Sequence, residues 1–212
     1  FNNKQLLLEA RYNDHRGDFG EVSYTLGWCN GNTPPNSDFT IHSGGYATDP
    51  LNFSVDDGPC ATDQRNILAV DGSVLLPGGI NFAPILTFGT GLPMTPTTAL
   101  LAGQSATVGG VVVTTPGCQI YYQSCYPARN GVLYTNGSLR GDDTIMFSAR
   151  VQRRFRLSER MSITPMFEAY NIPNLVNLGT DYTVLATSPN FGKPSSSTIS
   201  MRKLQLGLRF DF

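Results

Sequence analysis

Residues 203–212 read Lys203-Leu204-Gln205-Leu206-Gly207-Leu208-Arg209-Phe210-Asp211-Phe212. The alternation is unbroken. Leu204, Leu206, Leu208, Phe210 and Phe212 fall on one side of an extended chain, and Lys203, Gln205, Gly207, Arg209 and Asp211 fall on the other. One face is wholly apolar and the opposite face carries charge. Such a strand suits a boundary between hydrocarbon and water better than the space between two halves of a soluble core. The last strand of a soluble β-sandwich remains an alternative on this stretch alone, so the rest of the chain has to decide.

Six more segments alternate in the same way. Lys4–Asn13 sets Leu6, Leu8, Ala10 and Tyr12 against Glu9, Arg11 and Asn13, and Glu21–Cys29 sets Val22, Tyr24, Leu26 and Trp28 against Glu21, Ser23 and Thr25. Gln64–Leu76, Ile80–Thr90, Asp143–Leu157 and Met161–Asn171 follow the same period. Their connections run short, long, short, long, short, long. Asp14–Asp18, Pro77–Gly79 and Ser158–Arg160 are tight, whereas 30–62, 91–141 and 172–198 are rich in Gly, Pro, Ser, Thr and Asn. All tight turns then lie at one end of the sheet and all long loops at the other. Compact soluble domains seldom carry loops beyond about 15 residues, while outer-membrane barrels sort them in this way, short turns inside and long loops outside. The expected fold is all-β: an antiparallel up-and-down meander of about seven strands, forming part of a transmembrane β-barrel.

The aromatics agree with this orientation. Tyr12, Phe155, Phe210 and Phe212 fall near the turn end, and Trp28, Phe88 and Phe147 near the loop end, as two interfacial girdles. Arg153 interrupts the apolar face close to the turn end, where an outward arginine costs about 0–1 kcal/mol. Pro84 and Pro165 lie inside strands and cannot donate to a ladder, which predicts a bulge or displaced register at each. Seven strands do not close a single-chain bacterial barrel, so an incomplete sheet with two open edges is expected.

Composition narrows the class. Apolar residues make up 40% of the 212 and charged residues only 15%, and no run of eighteen apolar residues exists, so a membrane helix is excluded while a barrel is not. A net charge of −1 argues against nucleic acid as a partner, which needs a basic face. No signal peptide opens the chain and Phe1 is not an initiator methionine, so a fragment or processed product of a longer protein is expected. The four cysteines, Cys29, Cys60, Cys118 and Cys125, form no CxxC pair and have only His15 and His42 for company, which disfavours zinc. Disulfides in an oxidising compartment suit them better. Cys29 with Cys60 and Cys118 with Cys125 are the pairings of shortest separation, and sequence does not choose among the alternatives.

Several motifs together resemble a known family. These are Asp63-Gln64-Arg65; Leu76-Pro77-Gly78-Gly79; Ile85-Leu86-Thr87-Phe88 with Gly91-Leu92-Pro93-Met94-Thr95-Pro96; Phe167-Glu168-Ala169-Tyr170-Asn171 with Asn174 and Asn177; and Ser188-Pro189-Asn190-Phe191-Gly192. In order and spacing they are similar to the late barrel of TonB-dependent outer-membrane transporters of the Oar-like group. The run from Leu204 to Phe212 resembles the C-terminal signal read by the barrel assembly machinery. The resemblance implies a barrel of about twenty-two strands around an N-terminal plug, driven by the TonB complex, with this chain supplying the last seven strands. The plug and the segment that contacts TonB would lie upstream.

Chemistry is sparse. His15 and His42 lack partners at ligand spacing, and the pairs Asp56-Asp57 and Asp142-Asp143 read as solvated loop charge rather than cation ligands. No cofactor is expected. Arg16-Gly17-Asp18 and Arg140-Gly141-Asp142 match an adhesion tripeptide that chance readily supplies. Arg150, Arg154, Arg156, Glu168, Lys203 and Arg209 are candidates for a polar lumen, facing a plug or an anionic solute. Tyr121, Tyr122 and Tyr126 are candidate loop contacts for a ligand. The function expected is uptake of an unidentified solute by a non-enzymatic outer-membrane transporter in contact with lipid. A surface-adhesion β-sandwich is the alternative, and a barrel enzyme lacks a convergent nucleophile and base.

Overall fold

The computed structural model describes residues 2–32, 52–101, 103–116, 126–178, 182–195 and 201–212. Seven long strands make a continuous antiparallel wall: β1 (Asn2–Asn13), β2 (Phe19–Gly31), β3 (Asn66–Leu76), β4 (Ile80–Gly89), β5 (Thr144–Arg153), β6 (Ser162–Tyr170) and β7 (Lys203–Asp211). Each pairs with the next in sequence, and Gly58–Pro59 and Phe155–Arg156 add short pieces to the same sheet. At 9 to 13 residues apiece the strands are long enough to cross a bilayer when tilted, which takes about 9–11. Among the described residues β1 and β7 are not paired with each other, so the wall is open, as expected.

Register carries one apolar face across the whole wall. Leu8 stands opposite Tyr24, Tyr24 opposite Leu68, Leu68 opposite Phe88 and Phe88 opposite Ile145. Farther along, Phe82 stands opposite Val151, Val151 opposite Phe167 and Phe167 opposite Leu206. Partners in an antiparallel ladder share a face, so the alternation within each strand becomes one surface. No layer of protein covers it: Leu8, Val22, Val151, Phe167, Leu204, Leu208 and Phe210 are exposed, Leu206 to 83% and Phe212 to 98%. A sandwich would have buried these side chains. Phe155 and Arg153 lie together near the turn end, with the guanidinium carbon 4.7 Å from the ring centroid, so the one charge there has an aromatic seat.

The prolines do not displace the register. Pro84 keeps its place opposite Ala149, and on its other side the β3–β4 ladder lapses at Gly72 and Ser73 and resumes at Val74 in the same register. Pro165 stays opposite Leu208 in the same way, and the gap falls between Gln152 and Phe155. The expected bulges are absent because a missing N–H removes pairing on one side only, and the neighbouring strand holds the proline in place. Across the first gap the Asn81 amide donates to Ser73 Oγ at 2.6 Å. Gly72 is required there, since a Cβ would stand 2.7 Å from the carbonyl oxygen of Phe19.

The long connections are not structureless. Residues 90–143 contain a four-stranded antiparallel sheet of Ser105–Val108, Val111–Thr114, Ala128–Arg129 and Val132–Leu133, and a ribbon pairing Pro93–Met94 with Leu139–Arg140. A 3-10 helix spans Phe53–Asp56. Among the described residues the buried apolar side chains, Val113, Tyr126, Ala128 and Ala186, all belong to the long connections. The wall has no core of its own; the cap has one.

Candidate functional site

Three long connections are tied together at the loop end. Asp63 is the hub. Its Oδ1 accepts from the Cys29 N–H at 2.7 Å, and its Oδ2 accepts from Arg65 Nε at 2.9 Å and Arg140 Nη2 at 2.5 Å. Arg140 Nη1 also donates to the carbonyls of Asp63 and Gly91, at 3.0 and 3.1 Å. Burial alone would raise the carboxyl's pKa, but the Cys29 N–H and the two guanidinium groups outweigh it and hold Asp63 below the usual carboxylate range. Beside the hub, Cys29 and Cys60 form a disulfide, which settles for these two a connectivity that the sequence left open; Cys118 and Cys125 lie outside the described residues.

The remaining ties follow the same principle. Tyr126 is buried and its hydroxyl donates to Asp56 Oδ1 at 2.9 Å, while Asn136 Nδ2 donates to the Asp56 carbonyl at 2.8 Å. Tyr126 was expected to present itself to a ligand; instead it anchors one connection to another, because a phenol placed against a fully buried carboxylate satisfies both. Tyr121 and Tyr122 lie outside the described residues. The Tyr182 hydroxyl donates to the Asp142 carboxylate and accepts the Asp142 N–H at 2.9 Å. Burial first, and that carboxylate second, push the phenol's pKa up. Asp143 Oδ1 accepts from Gly91 N–H at 2.9 Å. The acidic pairs expected to be solvated are therefore largely structural anchors.

Asn171 and Asn177 finish the top of β5 where β6 leaves it. Asn177 Oδ1 accepts from Ile145 N–H at 2.7 Å and its Nδ2 donates to Ile145 O at 3.0 Å, so one side chain mimics a strand partner. Asn171, at φ 50°, turns the chain and brackets Leu175 with both ends of its amide.

The polar face gathers the lumen candidates into two groups. Arg150 Nε donates to Glu168 Oε1 at 2.5 Å, and Tyr170 donates to Oε2 at 2.9 Å, so Glu168, only 6% exposed, has both oxygens engaged. Near the turn end, Arg154 Nε donates to Ser162 Oγ at 2.9 Å, Ser162 to Asp211 Oδ2 at 3.2 Å and Arg209 Nε to Asp211 Oδ1 at 2.9 Å. Arg156 and Lys203 share the face and are exposed, opposite Ser162 and Tyr170. Arg150 with Glu168 and Arg209 with Asp211 thus present their charges as pairs on this face.

A wall wholly apolar over most of one side, mainly polar on the other and capped at one end has one natural setting. A family model described as an outer membrane beta barrel domain matches residues 1–205. The chain belongs to that family. An outer-membrane β-barrel domain resides in the outer membrane, and its short turns face the periplasm while its long loops face the exterior. No curated protein and no solved structure matches it. Sequence reasoning missed the Asp63–Arg65–Arg140 hub of this domain, because its members stand up to 77 residues apart. The available signal was an acidic residue three positions after a cysteine and two before an arginine.

Proposed function

We propose that this barrel domain is the late wall and outer cap of a non-enzymatic TonB-dependent transporter of the Oar-like type. The cap captures a solute outside, the polar face conducts it, and a plug supplied by another segment is moved by the TonB complex. The observation that carries the reading is the cap itself. Three connections fastened by a disulfide, the Asp63 hub and the Tyr182–Asp142 contact form a built outer surface rather than the loose rim of a passive channel. The ordered motifs that resemble the Oar-like group support it independently. The C-terminal alternation ending at Phe212 is proposed to be read by the barrel assembly machinery.

The test compares cells with and without the intact gene product, in the presence and absence of a protonophore, following loss of solutes from the medium. The expected result is a class of solute whose uptake needs both the protein and the proton gradient. Uptake that needs the protein but ignores the protonophore would mark a diffusion channel and end the proposal.

A further inference from the structure

The outward positions of β1 to β7 are apolar or glycine with five exceptions: Asn2, Lys4, Asn30, Asn66 and Arg153. Arg153 lies near the turn end against Phe155. The other four gather in one corner, at the loop end of β1, β2 and β3. There Lys4 stands directly opposite Trp28, Asn2 stands opposite Asn30, and the Arg65 guanidinium carbon lies 5.9 Å from the Trp28 ring centroid. Asn2, Lys4, Trp28 and Asn30 line an open hollow of about 260 Å³, and a larger open one lined by Asn2, Asn30, Asp57 and Arg65 adjoins it. Arg65 is engaged by Asp63, whereas Lys4 makes no ion pair with any described residue.

Depth decides what this corner meets. Tryptophan at the loop end marks the outer headgroup level, and directly below it the face is bare hydrocarbon-facing Leu6, Leu8 and Leu26. A cation and amide donors at that depth, above an apolar slope, match a ligand that is anionic at its head and acyl below. We infer that Lys4, Trp28 and the flanking Asn2 and Asn30 bind the phosphate-bearing headgroup of an outer-leaflet glycolipid, whose acyl chains lie over Leu6, Leu8 and Leu26. A free phosphate would use the cation and leave the slope unused. This site is independent of the transport proposal and needs only the membrane placement.

Native mass spectrometry of the intact protein in non-ionic detergent tests it, with bis-phosphorylated lipid A, its dephosphorylated form and inorganic phosphate as probes. The wild type should retain the bis-phosphorylated lipid and largely release the dephosphorylated one, and inorganic phosphate should not displace the lipid. Lys4→Gln should weaken retention about fivefold, equivalent to roughly 1 kcal/mol for one basic residue, and Lys4→Arg should restore it. Unchanged retention in a folded Lys4→Gln protein, equal binding of the dephosphorylated lipid, or displacement by inorganic phosphate would each overturn the assignment. Should Lys4→Gln fail to fold, the comparison of phosphorylated and dephosphorylated lipid on the wild type decides.

Discussion

Asp63 shows how much one carboxylate can hold. With both oxygens committed and 2% exposure, it joins the end of β2, the start of β3 and the ribbon at Arg140. Asp63→Asn keeps an acceptor for Cys29 but loses the charge that two guanidinium groups share. The expected loss is about 1.5–3 kcal/mol of cap stability, the usual worth of a hydrogen bond to a charged group, measured by hydrogen exchange at Gly91 and Arg140. The pH dependence follows from the direction of the shift. A carboxyl whose folded pKa is lowered stabilises the folded state above its ordinary value of 3.8, and that contribution disappears as pH falls through the lowered value. Protection of the cap amides, measured relative to their intrinsic exchange rates, should therefore fall only below about pH 4, and Asp63→Asn should flatten that dependence. Tyr126→Phe removes one bond to a buried carboxylate and should cost about 1–3 kcal/mol in the same assay. These roles were invisible in the chain because each partner lies in another connection, and no local period links Asp63 to Arg140 or Asp56 to Tyr126.

At the level of the strand, the two faces make a sharper experiment than any single contact. Leu206 and Gln205 are neighbours in β7 with opposite outlooks, one against Phe167 and the other against Glu168. Leu206→Arg near mid-strand should cost roughly 2–4 kcal/mol of folding in lipid, while Gln205→Arg should cost little. The fraction running as the folded form in unheated gel samples reads both. Gly72→Val should be more damaging than an outward valine elsewhere on β3, because its Cβ would meet the Phe19 carbonyl at 2.7 Å; recovery from the outer-membrane fraction checks it. The strands were legible because period two is a property of each ribbon alone, and the sorting of Asp14–Asp18, Pro77–Gly79 and Ser158–Arg160 against three long connections gave their orientation. The hairpin at Val108 and Val111 was not read, although Gly109-Gly110 between two valines is a strong two-residue turn signal. Pro84 and Pro165 misled in the other direction, since local chemistry pointed to a bulge and the ladder on the far side overruled it.

For the molecule as a whole, the cystine is the most accessible handle on the cap. It closes a sequence separation of 31 residues, so reduction should release about 3–4 kcal/mol of chain entropy restraint in the unfolded connection. Protease cleavage within residues 52–63 should then increase while the wall keeps its folded mobility; cleavage unchanged by reductant would show that the hub alone suffices. The placement of buried apolar side chains has a wider consequence. Val113, Tyr126, Ala128 and Ala186 are sheltered from water in the ordinary way, while Leu206 and its neighbours rely on lipid for the same service. One polypeptide thus answers to two solvents. Urea ought to dissolve the outer part while the membrane part persists, and exchanging one detergent for another ought to do the reverse, so that two melting events replace one.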